Sequence, residues 1–244
     1  MGTEARFAQY YYSRPEFVDG TTEFHRICAR FIPVGERVLE IGPGPTNPTS
    51  AFLASRGNVV GVDISNEVLG NESLAEARVY DGLQIPFEDA SFLACVSDYV
   101  LEHVTNPHEH FREVGRILRP GGVYCFRTPN LWHYVTLGSK LLPHRLHTHL
   151  ANRLRGLGNQ FHEPYPTLYA ANTRTSIRRL AAASGLQSVL LDTIEKEPSY
   201  ARTNAALFFP MMAYERLVNS SRLLGGLRVN ILGVLQQPTR ANCG

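Results

Sequence analysis

Short apolar runs rich in β-branched residues recur between residues 37 and 128, with stretches of helical periodicity between them. The runs RVLEIG, NVVGVDIS, ARVYDG, SFLACVSD and VYCFRT predict five strands. Strands that alternate with helices are typical of a parallel sheet with helices packed on its faces. We therefore predict an α/β fold built on a Rossmann-like, doubly wound sheet.

Two of the predicted helices begin with clear capping signals. Asn47 precedes Pro48, and Asn106 precedes Pro107, so each helix has an N-cap side chain followed by proline at its first position. Gly57 is suited to end the first helix. The glycine- and proline-rich loop between Ile41 and Pro48 therefore connects a strand to the N-terminus of a helix.

The C-terminal part of the chain completes the sheet. The stretch TRTSIRRLAAASGLQSVLLD predicts a helix that ends at Gly185 and a sixth strand, residues 204–224 predict an apolar-rich helix, and LRVNILGVL predicts a seventh strand. Between them, Pro129 to Asn172 shows no strand pattern, and so long a connection is usually a functional lid. We predict a helical cap over 1–36, a core over 37–128, a lid over 129–172 and completion of the core over 173–244.

Composition excludes several classes of protein and favours a cytoplasmic one. The net charge is +2, with 24 Lys and Arg against 22 Asp and Glu, so the balance gives no argument for a nucleic acid partner. The four cysteines form no close pairs, which is typical of a reducing compartment. No apolar run is long enough to predict a membrane span, and the N-terminus lacks the apolar segment of a signal peptide.

The loop sequence VLEIGPGPTNPTS, from Val38 to Ser50, is typical of a ligand cradle. Three ligands compete for it: a nucleoside triphosphate, a dinucleotide and S-adenosylmethionine (SAM). A phosphate-binding P-loop needs a lysine followed by Ser or Thr, and none is present. The dinucleotide fingerprint needs a third glycine where Asn47 stands, which leaves that reading weak.

Five motifs in order resemble the class I SAM-dependent methyltransferases: VLEIGPGP, VVGVDIS, YDGLQIPFEDASF, VSDYVLEHV and RILRPGGVYCFRTPN. The similarity covers residues 37 to 130 and is with the small-molecule branch, of the methyltransferase-11-like type. It implies a seven-stranded sheet, mostly parallel with an antiparallel last strand, and SAM as cofactor with S-adenosylhomocysteine as product. It also implies the cofactor residues, which are Glu40, Gly42, Gly44, Asp63, Ile64, Asp81, Gly82, Leu83, Ser97 and Asp98.

The resemblance gives each of these residues a role in binding SAM, which carries positive charges on its ammonium and sulfonium groups. Glu40 supplies an acid near the cationic methionine end, and Gly42 and Gly44 let the backbone pass close to the ligand. Asp63 is expected to accept from both ribose hydroxyls.

Further residues are expected around the adenine and the ammonium. Ile64 is expected on the adenine face, and Asp81 is expected to accept from the adenine amino group, beside the backbone of Gly82 and Leu83. Ser97 and Asp98 are expected near the ammonium.

Candidate bases for the transfer step are two histidines. Methyl transfer to oxygen, the predicted reaction, benefits from a base that removes the acceptor's proton. His103 follows the fourth strand, although a histidine there can also simply hold its loop, and His133 follows the fifth strand. In the lid, His144, His147 and His149 lack the spacing of a metal site, and we predict no metal.

The charge of the lid region favours an anionic, possibly sugar-type, small-molecule acceptor or contact with an anionic membrane surface. Glu163 is the only acid between residues 127 and 191, against the basic residues Arg127, Lys140, Arg145, Arg153, Arg155, Arg174, Arg178 and Arg179. The alternative is a solvated helix face. Two further hypotheses remain open: an enzyme that methylates a lipid-linked or glycan substrate at a membrane, and a SAM-binding scaffold without transfer. The chain is expected to be a monomer or a homodimer.

Overall fold

A computed structural model describes residues 2–141, 166–198, 201 and 205–239. Its strands are β1 (Arg37–Ile41), β2 (Asn58–Asp63), β3 (Glu76–Val79), β4 (Phe92–Asp98), β5 (Leu118–Pro129), β6 (Gln187–Ile194) and β7 (Asn230–Gln236). Its α-helices are α1 (Thr3–Phe7), α2 (Gly20–Phe31), α3 (Pro48–Ala54), α4 (Pro107–Ile117), α5 (Tyr134–Leu141), α6 (Arg174–Ala183) and α7 (Ala205–Ser220). A π-helical turn spans Ala8–Tyr12, and two 3₁₀ helices span Asn66–Gly70 and Leu223–Leu227.

The seven strands form one sheet in the order β3-β2-β1-β4-β5-β7-β6. β1 pairs in parallel with β2 and β4, and the parallel pairing continues to β3 on one side and β5 on the other. β7 runs antiparallel to β5. At one end the Gly121 N–H donates to the Gln237 carbonyl and the Gln237 N–H to the Gly122 carbonyl, and at the other end the Asn130 N–H donates to the Val229 carbonyl. The predicted mostly parallel sheet with an antiparallel last strand is confirmed.

The capping predictions are confirmed as well. The Asn47 side chain accepts a hydrogen bond from the Ser50 N–H at 2.8 Å at the start of α3, and Asn106 accepts one from the Glu109 N–H at 3.3 Å at the start of α4. In both helices proline occupies the first turn, where its missing N–H costs nothing.

Some element bounds differ from the sequence prediction. β5 begins at Leu118, so the RPGG segment is an irregular start of the strand, with a register shift opposite Phe92 and Ala94. β3 covers Glu76–Val79 and ends before the predicted YDG. The helix α5 was not predicted, because its eight residues include Gly138 and lack a cap signal.

The chain forms two compact units, which are described separately. Of the described residues, the larger unit comprises 21–129, 167–192 and 231–239, and the smaller one comprises 2–20, 130–141, 166, 193–198, 201 and 205–230. Side chains of the sheet and of α4 fill the core of the larger unit, among them Leu39, Phe92, Phe111, Tyr124 and Phe126. The predicted division into cap, core, lid and completion stays a prediction.

The smaller unit has an aromatic core of its own. Phe7 and Tyr11, from the N-terminal helical turns, pack with Phe208 of α7. The Phe7 and Phe208 rings meet edge to face with centroids 5.1 Å apart, a favourable aromatic geometry. The tyrosine run at residues 10–12 therefore contributes to a core through Tyr11, which is 1% exposed.

Candidate functional site

The carboxyl ends of β1, β2 and β4 lie side by side in the larger unit, since these strands are parallel neighbours. In open parallel sheets this edge binds ligands, because strand-to-helix loops and helix N-termini converge there. Most of the predicted cofactor residues lie in or directly after these strand ends. The sheet order therefore brings three of the predicted cofactor motifs to one edge.

Glu40, in β1, is 1% exposed, and its described hydrogen-bond donors are neutral. The Ser50 hydroxyl donates to Oε2 at 2.8 Å and the Asn47 amide donates to Oε1 at 3.3 Å. Burial raises the pKa of Glu40 to about 7, and the nearby Asp98 also raises it. A buried carboxyl without a cationic partner is thus half protonated near neutral pH.

The conformation of the glycine loop after β1 is fixed by a side chain of the loop itself. Gly42 and Gly44 have φ angles of 70° and 61°, a left-handed backbone that favours glycine. The Asn47 amide also donates to the Pro43 carbonyl at 2.7 Å, so the residue that caps α3 also fixes the loop.

Asp63, at the end of β2, joins the second strand to the glycine loop. Its Oδ2 accepts from the Gly44 N–H and its Oδ1 from the Ser65 N–H, both at 2.9 Å. The side chain is 7% exposed. Asp63 therefore holds the loop in place, and a ribose contact stays a prediction.

Asp81, Gly82 and Leu83 form an exposed turn after β3. The Asp81 Oδ1 accepts from the Leu83 and Gln84 N–H groups at 2.8 and 3.0 Å, and these backbone bonds lower its pKa. Ile64 is 50% exposed and Leu83 47% exposed, which leaves apolar surface of the kind that a planar base can cover. These positions remain predicted adenine contacts.

Asp98, at the end of β4, is held in a bidentate ion pair. The Arg127 Nε donates to Oδ1 and its Nη2 to Oδ2, both at 2.6 Å, and the Thr49 hydroxyl adds a bond to Oδ2 at 2.7 Å. Arg127 lies directly opposite Asp98 in the β4–β5 register. Asp98 therefore already has its cation, unlike Glu40.

Ser97, the neighbour of Asp98, is fully buried, and its hydroxyl lies 2.6 Å from the Tyr124 hydroxyl. Tyr124 in turn lies 3.0 Å from the His110 ring nitrogen. The Ser97 hydroxyl is therefore part of a buried polar chain, and its contact with the ammonium stays a prediction.

Comparison with known proteins identifies the kind of domain to which this edge of the sheet belongs. Residues 39–126 match the family model described as "Methyltransferase domain". This match identifies residues 39–126 as a methyltransferase domain.

Curated relatives match this region over part of their length. A demethylmenaquinone methyltransferase from Clavibacter sepedonicus is 37% identical over 105 residues, which cover 39% of this chain and 43% of that protein. A 24-methylenesterol C-methyltransferase 2 from Arabidopsis thaliana is 33% identical over 101 residues, covering 37% of this chain and 28% of that protein. The chain thus matches less than half the length of these curated relatives.

Among solved structures, geranyl diphosphate C-methyltransferase from Streptomyces coelicolor A3(2) superposes with a TM-score of 0.56 at 16% identity. The superposition covers 89% of this chain and 77% of that one. At this identity the likeness shows a shared fold.

The two candidate bases lie in different units. His103 follows β4 in the methyltransferase domain, is half-buried, and donates its N–H to the Val100 carbonyl at 2.9 Å. His133 belongs to the smaller unit and is 1% exposed. Neither role is tested by the geometry, and both stay predictions.

Within the smaller unit, His133 lies close to the carboxyl group of Glu195. Its Nε2 lies 3.5 Å from the Glu195 Oε2, but neither ring nitrogen makes a hydrogen bond to a described residue. The His133 ring and the Glu195 carboxyl group are therefore close, but they do not form a hydrogen bond. Burial lowers the pKa of His133 to about 4 and raises that of Glu195 to about 8, so both groups are neutral at pH 7.

No group of three His, Cys, Asp or Glu side chains suited to a metal ion occurs in the described ranges. The lid histidines His144, His147 and His149 lie outside those ranges, as do Arg145, Arg153 and Arg155. Within 2–141, 166–198 and 205–239 no helix is long and apolar enough to cross a membrane.

Sequence reasoning missed Thr49, Arg127 and Glu102 as site residues. A register argument could have found Arg127, because it lies near the carboxyl end of β5, opposite the residue that ends β4. Glu102 gave no signal, yet it is 4% exposed, accepts from the Thr128 hydroxyl at 3.1 Å, and burial raises its pKa to about 8.

Proposed function

We propose that this chain transfers the methyl group of SAM to a small-molecule acceptor. The observation that carries the proposal is Glu40, a buried acid at the ligand-binding edge whose described donors, Asn47 and Ser50, are neutral. A ligand with an ammonium and a sulfonium supplies the missing positive charge. The phosphates of a dinucleotide or a nucleoside triphosphate would instead be repelled.

The residues present fit SAM in three respects. The left-handed glycines allow the backbone to approach a ligand, the start of α3 contributes N–H groups, and the exposed apolar side chains Ile64 and Leu83 suit the adenine. SAM supplies an electrophilic methyl on its sulfonium, and the domain contributes mainly proximity and orientation. The Asp98–Arg127 pair keeps the end of β4 in a fixed position for that task.

Binding of a cation beside Glu40 favours its carboxylate form and so lowers its pKa. The proton that the free protein holds below pH 7 is then released on binding. We expect SAM affinity to increase as the pH rises toward about 7, by at most about tenfold per pH unit, and to level off above it. Calorimetry in two buffers of different ionisation enthalpy measures the released proton.

The variant Glu40→Gln tests the proposal directly, because it keeps the side-chain shape and removes the charge. We expect at least about tenfold weaker SAM binding and loss of the proton release. Glu88→Gln, an exposed acid of the same unit, is the matched control and should bind like the wild type. Equal SAM affinity of Glu40→Gln and the wild type would contradict the central role of Glu40.

Two kinds of acceptor atom are candidates for the methyl group. Oxygen is our first candidate, since a polar acceptor with a removable proton suits His103 as base. Carbon is the second, favoured by the relatives named as C-methyltransferases. An acceptor screen for S-adenosylhomocysteine production, with NMR of the product, separates an O-methyl from a C-methyl group. SAM binding without product from any acceptor class would support the scaffold hypothesis instead.

An anionic acceptor has weaker support in the described residues. Arg127 is neutralised by Asp98, and Arg178 and Arg179 are exposed on α6, as expected of a solvated helix face. The proposal of an anionic acceptor therefore depends on the lid residues outside the described ranges. Competition of phosphate- and carboxylate-bearing compounds with turnover tests it.

A further inference from the structure

Helix α7 in the smaller unit is apolar on two opposite sides. Phe208 is fully buried and packs on Phe7 and Tyr11. On the other side Phe209 is 46% exposed and Leu217 is 57% exposed. These two residues are eight positions apart, so they lie on one stripe of the helix with Ala213 between them. A helix of this kind is normally covered on both sides.

The 3₁₀ helix that follows extends the exposed apolar surface. Leu223 is 94% exposed and Leu227 is 40% exposed. The segment folds back along α7, because the Tyr214 hydroxyl donates to the Leu227 carbonyl at 2.7 Å and the Arg228 Nε donates to the Val218 carbonyl at 3.2 Å. We name Phe209, Leu217, Leu223 and Leu227 the apolar stripe.

The charges around the apolar stripe are positive where they face solvent. Arg216 and Arg222 are exposed, and the Arg6 guanidinium lies 5.0 Å from the Phe209 ring centroid. The one acid of Ala205–Leu227, Glu215, is 4% exposed and accepts from the Tyr11 hydroxyl at 3.0 Å and the Asn219 amide at 2.8 Å. The Glu215 Oε2 also lies 3.3 Å from the Arg216 Nε, so Glu215 offsets Arg216, and the segment keeps a net positive charge through Arg222.

We propose that the apolar stripe and its arginines dock on an anionic lipid surface. Apolar side chains would enter the boundary of the acyl chains while the guanidinium groups pair with lipid phosphates. A second copy of the chain fits less well, because a two-fold contact would bring the exposed Arg222 of both copies into one apolar interface. The surface is independent of the proposed methyl transfer.

Vesicle binding of the full chain tests the surface. We expect the wild type to co-sediment with phosphatidylcholine vesicles that contain roughly one third phosphatidylserine, more weakly with pure phosphatidylcholine, and less as salt increases. Leu217→Ser combined with Leu223→Ser should weaken binding by about tenfold or more, since both side chains are exposed in the free protein and would be buried in the bilayer. Arg222→Gln should reduce binding to the anionic vesicles alone.

Val34→Ser is the matched control, because Val34 is 71% exposed in the larger unit. It should bind vesicles like the wild type. Thermal unfolding of all variants should stay unchanged, which excludes misfolding as the cause.

Three results would overturn the proposal: no binding of the wild type at low salt, unchanged binding of the double variant, or a wild-type dimer in light scattering that the double variant dissociates. SAM calorimetry on the double variant keeps the two proposals separate, since its affinity should equal that of the wild type.

Discussion

The two units bury acids next to very different partners. In the larger unit, Arg127 holds the carboxylate of Asp98 through two hydrogen bonds of 2.6 Å. In the smaller unit, Glu195 receives the Val229 N–H at 2.7 Å and has His133 3.5 Å away, with both ionisable groups neutral at pH 7. The first acid is thus paired with an arginine, whereas burial raises the pKa of the second acid to about 8.

Glu40 is intermediate between these two cases. Like Glu195 it is buried among neutral donors, but it lies at the carboxyl edge of the sheet where a ligand can supply the cation. Glu40 is therefore the acid that we propose for the cationic end of the ligand. The predicted contact of Asp98 with the ammonium stays a prediction.

The largest expected effect comes from breaking the Asp98–Arg127 pair. Asp98→Asn leaves the Arg127 guanidinium buried without its counter-charge, so we expect a loss of about 3 to 5 kcal/mol in the free energy of unfolding. Urea denaturation followed by circular dichroism measures it. Adding Arg127→Met to the same chain should recover a large part of the loss, since no buried charge remains.

Recovery by the double variant is the decisive control. If Asp98→Asn and the double variant are equally destabilised, the packing of the side chains rather than the charge holds β4 and β5 together. A stability of Asp98→Asn within about 1 kcal/mol of the wild type would show that the pair is solvated, contrary to the geometry.

A smaller effect, visible through pH, is expected at Glu195. Burial raises its pKa from 4.5 to about 8, so the folded protein holds a proton that the unfolded chain releases between these values. This contribution to stability is present in full below pH 4.5 and is lost as the pH rises to about 8. At pH 8.5 we expect Glu195→Gln to be more stable than the wild type by about 1 to 3 kcal/mol.

The stability of Glu195→Gln must be compared with that of the wild type at each pH, because Glu40 and Glu102 also have raised pKa values and contribute to the pH dependence of both proteins. Glu16→Gln, an exposed acid of the smaller unit, should keep the wild-type slope between pH 5 and 8. A constant difference between Glu195→Gln and the wild type over this range would mean that Glu195 is ionised in the folded protein.

Sequence reasoning succeeded where the causes are local. The caps at Asn47 and Asn106 and the strand that carries Glu40 depend on neighbouring residues, and each was predicted. The charge state of Asp98 was not predictable in this way, since its partner is 29 positions away and is set by the β4–β5 register. The cluster of His133 and Glu195 was equally hidden, because it joins segments about 60 residues apart.

Removal of the helix cap at Asn47 is expected to have an intermediate effect on stability and also to affect the site. Asn47→Ala removes the bond to the Ser50 N–H and the donor to Glu40, so we expect a loss of about 1 to 2 kcal/mol in stability. Asn106→Ala removes a comparable cap without touching Glu40 and should cost about 1 kcal/mol. SAM calorimetry on both variants separates the two roles, since Asn47→Ala alone should weaken binding. Equal SAM affinities would show that the cap does not shape the site.

The smallest effect is expected at an exposed ion pair of the larger unit. Glu76 accepts from Arg37 at 2.9 Å and from Arg78, and its side chain is 36% exposed. Solvent screens such pairs, so Glu76→Gln should cost less than about 1 kcal/mol, and the cost should shrink further in high salt. Its arginine partners lower the pKa of Glu76, so the small contribution is present above its ordinary pKa of 4.5 and is lost as the pH falls further. Denaturation at low and high salt measures both properties. A cost equal to that of Asp98→Asn would contradict the comparison, because burial rather than the ion pair itself is what makes Asp98 important.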